Sequence, residues 1–332
     1  MSTPPVTVAP PAPSASTSTT RSYVVVHETS YAYDQPVGLS RQIVHLSPRA
    51  LEWQTCRSHE LRIAPEPEIL SVGDDAFGNP LMSFCIEDDH ASLLVHAESW
   101  VDVTARVYPD DASTPPWDEV RARLAYRAGR APDPADLEAS RFLFESSRVR
   151  NKRELAAWTS ACFPPGAPLM AGVRALMNRI HEELTFDPKA TTVSTPVMEV
   201  FERRRGVCQD FAHLMLSCLR SIGLAARYVS GYLLTHPPPG RPRLVGADAS
   251  HAWVSVYCPG YGWVDADPTN GLFPSLEHVT LGWGRDYDDV IPLRGVLLGG
   301  GDHELDIAVT VTPVDEYEKV FGEPFVPASS RA

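Results

Sequence analysis

Between about residues 21 and 108, apolar and polar positions alternate in short segments: YVVVHETSYAY, SRQIVHLS, HELRIAPE, NPLMSFCIE and SLLVHAESWVDV. Alternation places successive side chains on opposite faces of a strand, so each segment reads as a β-strand with one face buried. Asp74-Asp75 and Gly78-Asn79-Pro80 supply turns between them. The period then changes. Leu169, Val173, Leu176, Ile180 and Leu184 recur at three- and four-residue steps, the stripe of an amphipathic helix, with His181 off the stripe and solvated. Thr195 is placed to cap a short helix with Pro196 at its first position, running to Arg203-Arg204-Arg205 and Gly206. A second helix starts near Val207 or Cys208, buries Phe211, Leu214, Met215, Cys218, Leu219 and Ile222, and stops at Gly223. AARYVSGYLL reads as a strand; after the loop HPPPGRPRLVGADAS come two more, HAWVSVYC and YGWVDADP, joined at Pro259-Gly260.

These elements predict an α+β chain. Residues 1–20, rich in Pro, Ser and Thr, are expected to be a disordered leader. Residues 21–108 are expected to form an N-terminal antiparallel β-sandwich, 109–150 a connector with short helices, 151–318 a catalytic domain and 319–332 a flexible tail. The 332 residues carry a formal net charge of −13, spread along the chain, which argues against nucleic acid as a partner. No run of about 18 apolar residues is present, so no membrane-spanning helix is expected. The leader has no basic start and no continuous apolar stretch, which points to a cytoplasmic protein. Six scattered cysteines without a C-x-x-C pair are expected as free thiols, and HEELTF lacks the second His of a zincin helix, so no metal and no cofactor are expected.

One cysteine stands apart. A reactive thiol must ionise more easily than the ordinary value of about 8.5, and a helix N-terminus or nearby cations achieve this. Cys208 opens a helix directly after three arginines and Gly206, which lets the backbone turn; Cys218, mid-helix on the apolar stripe, reads as core. On the following strands, residues two apart share a face. A loop of Cys258-Pro259-Gly260 would set His251 opposite Asp267 and Asp265 opposite Trp253; a shift of pairing by two makes Asp265 the alternative partner. Trp253 and Trp263 read as hairpin core. The expected catalytic residues are Cys208 as nucleophile, His251 as base and Asp267 as its orienting carboxylate.

The runs RRGVCQDFAHLMLSCLRSIGLAARYVSGYL and HAWVSVYCPGYGWVDADPTNG resemble the Cys and the His–Asp segments of the bacterial transglutaminase-like family, with Asp267 in the DPTN position. WGRDYDDVIPLRGV resembles a stretch that closes such domains, and the region from Tyr23 to Val103, with HETSYAY, DDAFGN and VHAESWVDV, resembles the N-terminal β-domain fused to them. The resemblance implies a papain-like catalytic fold, in which a Cys-bearing helix packs on an antiparallel sheet carrying His and Asp. It also implies acyl transfer through a thioester on protein or peptide amides, resolved by water or by an amine. FERRRGV, ahead of Cys208, has no tryptophan of the kind that shapes the acyl tunnel of animal transglutaminases, so water is the expected acceptor. Two other readings are an acetyltransferase-like acyl carrier using the same triad and a catalytically idle protein-binding module.

Overall fold

The computed structural model describes residues 19–129, 131–236, 246 and 250–322. Most of the expected leader, most of the loop after His236 and the end of the expected tail lie outside the described residues. Five strands come first: β1 (Thr20–Val44), β2 (Gln54–Ala64), β3 (Ile69–Asp74), β4 (Pro80–Ile86) and β5 (His90–Thr104). Helices α1 (Trp117–Leu124), α2 (Pro134–Ser140), α3 (Arg153–Ser160) and α4 (Leu169–Glu183) follow. Next come β6 (Thr185–Phe186), α5 (Val197–Arg203), β7 (Arg205–Gly206), α6 (Cys208–Ser221), β8 (Ala226–Leu233), β9 (Ser250–Cys258), β10 (Gly262–Ala266) and β11 (His278–Gly284). The chain then forms β12 (Leu293–Gly299), β13 (His303–Pro313) and α7 (Tyr317–Phe321).

The long strand β1 organises the N-terminal sheet. Its first half pairs antiparallel with β5 and β13, its second half with β4 and β12, and β2 and β3 extend the two ends. The halves close over a core that includes Val37, Val44, Phe84, Ile86, Leu93 and Val95. β12 and β13 were expected inside the catalytic domain. They return instead to β1, because their apolar alternation completes the sheet that the first five strands leave open on one side of β1. The expected connector is likewise part of a core: Val120 and Leu124 of α1 and Ala139 of α2 pack with α4 and α6. Helix α7 covers the first residues of the expected flexible tail.

The second sheet has four antiparallel strands in the order β10-β9-β8-β11. Helix α6 lies against β8 and β9 with α3 and α5 on its other sides, so nearly all of α6 is buried rather than a single stripe. The two sheets meet through Tyr23, Val25, Val101 and Val103 on one side and Tyr232, Leu234, Val279 and Leu281 on the other. Polar side chains finish this interface. The Gln54 amide donates to the Thr280 carbonyl and accepts from its N–H, both at 2.7 Å; the Asn79 amide does the same at Trp283, at 2.7 and 2.9 Å. Edge strand β11, whose ladder to β8 is irregular between Thr280 and Gly282, thus has backbone groups capped by side-chain amides of the first sheet. Gly282 allows this approach, since a Cβ there would lie 2.7 Å from the Asn79 Oδ1.

Candidate active site

Cys208 is the first residue of α6, as its position after Gly206 and before an apolar helix predicts. Val207 is the cap residue, and its N–H donates to the Asp210 carboxylate at 2.8 Å. Gly206 serves this contact rather than a sharp turn: a Cβ there would sit 2.6 Å from the Asp210 carboxylate, which reaches back over it. The short parallel pairing of β6 with β7 holds the chain just ahead of the cysteine. Upstream, Pro196 rather than Thr195 occupies the cap of α5, without a side-chain hydrogen bond; the Thr195 hydroxyl instead accepts from the Thr192 N–H.

The three arginines do not gather at the thiol. Arg203 pairs with Glu199, Arg204 with Glu183 and Arg205 with Asp187. Arg204 adopts the left-handed conformation at the end of α5, and its guanidinium lies over the Phe201 and Trp158 rings. The cation beside Cys208 is His251, on β9. Its Nε2 is 2.7 Å from Asp267 Oδ2, and its ring lines the same cavity as the Cys208 thiol. With Nε2 committed to the carboxylate, Nδ1 is the nitrogen left for the thiol. Burial alone pulls the imidazole pKa down, but hydrogen bonds and negative charge from Asp267 and Cys208 more than offset it, raising it to about 10. The Cys208 Sγ also lies 4.0 Å from the Ser250 carbonyl.

The hairpin register differs from the expected one. The loop is Pro259-Gly260-Tyr261, closed by the Tyr261 N–H on the Cys258 carbonyl at 3.0 Å, with Gly260 and Gly262 both at positive φ. Asp265 therefore pairs with Ser255, not Trp253, and His251 reaches Asp267 diagonally, from beyond the end of the ladder. Asp265 belongs to a separate buried network. It accepts from Arg106 and from the Trp253 indole at 3.0 Å. Burial pushes its carboxyl up, but these partners, Arg106 foremost, hold it below the ordinary range.

Asp267 is fully buried and accepts five hydrogen bonds from four residues. Oδ2 takes His251, His278 at 3.1 Å and the Asn270 amide at 2.7 Å; Oδ1 takes the Thr269 and Asn270 N–H groups. Burial opposes its charge, yet the bonds from His251 and His278 hold the carboxyl well below its usual range. Asn270 and His278 were absent from the expected site. Asn270 was findable, because Asp-Pro-Thr-Asn is turn chemistry that brings the Asn side chain back onto the Asp. His278 opens β11, and nothing in its local sequence links it to Asp267. The ligand atoms of His251, Asp267 and His278 lie within 4.8 Å of one another, close enough for a metal, but each imidazole Nε2 already hydrogen-bonds the carboxylate.

The thiol and imidazole open into a cavity of about 440 Å³. Among the described residues that line it are Tyr228, Ser230 and Tyr287 of the catalytic core, and none is Asp, Glu, Lys or Arg.

Residues 157–268 match the model of the transglutaminase-like superfamily, and residues 23–102 that of the bacterial transglutaminase-like N-terminal region. An uncharacterized Mycobacterium tuberculosis protein is 37% identical over 304 residues, 89% of this chain and 94% of that one. A protein-glutamine gamma-glutamyltransferase of Pseudomonas aeruginosa is 36% identical over 106 residues, 31% of this chain and 16% of that one. A solved structure described as a candidate cysteine protease from Cytophaga hutchinsonii shares the fold, with a TM-score of 0.68 and 19% identity over 93% of each chain. The chain belongs to the transglutaminase-like superfamily and carries the bacterial transglutaminase-like N-terminal region ahead of its catalytic core.

Proposed function

We propose that the protein is a cysteine-dependent acyl-transfer enzyme acting on protein or peptide amides, with Cys208 as nucleophile, His251 as acid–base and Asp267 as the residue orienting His251. The observation that carries this reading is that Cys208, at the start of α6, shares a cavity with His251, whose other ring nitrogen is 2.7 Å from the buried Asp267 carboxylate. The Cys208 thiolate attacks the amide carbonyl carbon and the carbonyl π electrons move to oxygen. The first N–H groups of α6 are free of intrahelical acceptors, and that of Cys208 is placed to hold this oxyanion. The C–N bond then breaks, His251 gives its Nδ1 proton to the leaving amine, and a thioester remains. Water attacks the thioester, His251 takes its proton, and the acid leaves as the thiolate is restored.

We favour water over an amine as the acceptor. A lysine-like amine arrives as a cation, and no carboxylate lines the described cavity to bind it. An amine competes with water at about 55 M only where the site binds it and keeps water out. The same described lining has no Lys or Arg to meet the phosphates of a CoA thioester.

The direct test is incubation with a peptide library, with and without lysine-like amine at millimolar level, read by mass spectrometry. Hydrolysis products are expected in both arms, and dominant amine incorporation would make the enzyme a transglutaminase instead. Labelling with iodoacetamide near pH 6.5 checks the nucleophile. Burial pushes the Cys56, Cys218 and Cys258 thiols up to about 11, 12 and 11, so Cys208 is expected to label first. Cys208→Ala is expected to lower turnover by about six orders of magnitude.

A further inference from the structure

Part of the cavity at Cys208 is built by the other sheet. His27, Thr29 and Tyr31 of β1 line it together with Leu305 and Ile307 of β13. Tyr31 pairs directly with Leu305 and Thr29 with Ile307, and alternate residues share a face, so these side chains form one continuous patch across two strands. Leu305 and Ile307 are 49% and 53% exposed, whereas Val309 and Val311, on the same face of β13, are buried in the contact between the sheets. The apolar face of β13 therefore continues past the interface and ends over the thiol. His27 adds no charge: it hydrogen-bonds the Tyr232 hydroxyl at 2.8 Å, and burial pushes its imidazole down to about 4.

We infer that this face of the N-terminal sheet, Tyr31 with Leu305 and Ile307, is the side-chain specificity surface of the enzyme and selects substrates carrying an uncharged, apolar residue beside the reacting carboxamide. The inference rests on the acyl-transfer reading of Cys208 given above. A charged side chain set against this face loses its water and, apart from the mutually paired Cys208 and His251, meets no counter-ion among the described lining residues, whereas a leucine-like one exchanges water for Leu305, Ile307 and the Tyr31 ring. The first sheet thereby acquires a task in the reaction: its β1 and β13 supply one wall of the substrate cleft.

The test uses the full chain and three dipeptidyl vinyl sulfones that carry Leu, Glu or Lys beside the electrophile. Each alkylation rate at Cys208 is divided by the rate of the same protein with iodoacetamide, which has no side chain to be recognised. The wild type is expected to prefer the Leu reagent over the Glu and Lys reagents by about tenfold or more. Ile307→Asp should raise the Lys reagent relative to the Leu reagent by about tenfold, and Leu305→Lys should do the same for the Glu reagent. Both positions are half exposed, so neither substitution opens the core. Equal normalised rates in the wild type, or ratios that neither variant moves, would overturn the inference while leaving the thiol chemistry standing. Failure of iodoacetamide to modify wild-type Cys208 would instead remove the acyl-transfer reading, and the specificity surface with it.

Discussion

Every residue of β9 from His251 to Cys258 is buried, while every residue of β3 is exposed. The four-stranded sheet lies between helices and the N-terminal sheet; much of the N-terminal sheet, and all of β3, faces solvent. The same polar side chain therefore means different things in the two places. In the first, a carboxylate survives only with partners, and Asp265 and Asp267 each have a full set. In the second, water satisfies polar groups at no cost, and their positions say little about chemistry. The two buried carboxylates of the four-stranded sheet can thus each be assigned a task by asking which partners keep them there.

The largest effect follows from separating the two buried carboxylates. Asp267→Asn should lower turnover by about 10³–10⁴-fold, because an amide cannot sustain the charged imidazole and favours the wrong tautomer. It should also alter the dependence of stability on pH. His251 has its folded pKa raised from 6.5 to about 10, so its contribution is complete below 6.5 and fades as pH climbs toward 10. Asp267 is depressed from 3.8, so its contribution is present above that value and lost below it. The pair stabilises most between those ordinary values. The gap in thermal midpoint between wild type and variant should therefore shrink from about pH 6 to about pH 9. A gap that widens over this range would contradict the ion pair.

Asp265→Asn should act on the fold instead. It leaves Arg106 buried without its counter-charge, a loss of about 3–5 kcal/mol, with turnover per folded molecule near that of wild type. Urea denaturation and titration of reactive Cys208 measure the two quantities separately. Equal losses of turnover in the two Asn variants would dissolve the distinction between the networks.

The seam between the sheets is expected to be intermediate. Gln54→Ala removes both side-chain bonds to Thr280, and the Thr280 N–H is left without that acceptor while its carbonyl keeps the Arg49 N–H. The expected loss is about 1–3 kcal/mol, seen as a lower urea midpoint. An unchanged midpoint would mean that water replaces the amide and that the seam is looser than its geometry.

How much of this was legible beforehand follows the same division. That Cys208 begins a helix and that His251 and the stretch up to Asp267 lie on successive strands could be read, because helix starts and strand periods are local signals. The register could not, since the loop is Pro259-Gly260-Tyr261 rather than Cys258-Pro259-Gly260, and a shift of one loop residue moves every pair. The arginines misled because nearness in sequence is not nearness in space: Arg203 pairs along α5 with Glu199, Arg204 with Glu183 and Arg205 with Asp187. The strand character of HELDIAVTVTP was visible, but its partner strand begins the chain, and no local pattern encodes that return. His278 escaped for the same reason, being joined to Asp267 only through the pairing of β11 with β8.

The smallest effect is expected where the comparison began, on β3. Val72 is 74% exposed on a strand that pairs only with β4 among the described residues, and Ile69 and Leu70 beside it are also exposed. Val72→Lys removes no buried contact and leaves no polar group without water, so its change in urea midpoint should correspond to less than about 0.5 kcal/mol. Alkylation of Cys208 by iodoacetamide should proceed at the wild-type rate. The variant should differ in one respect: a lysine on an open edge opposes pairing with a second chain, so light scattering at high concentration should fall relative to wild type. A loss of stability approaching that of Gln54→Ala would show that β3 is packed against something, and that the contrast between a sealed sheet and an open one has been drawn in the wrong place.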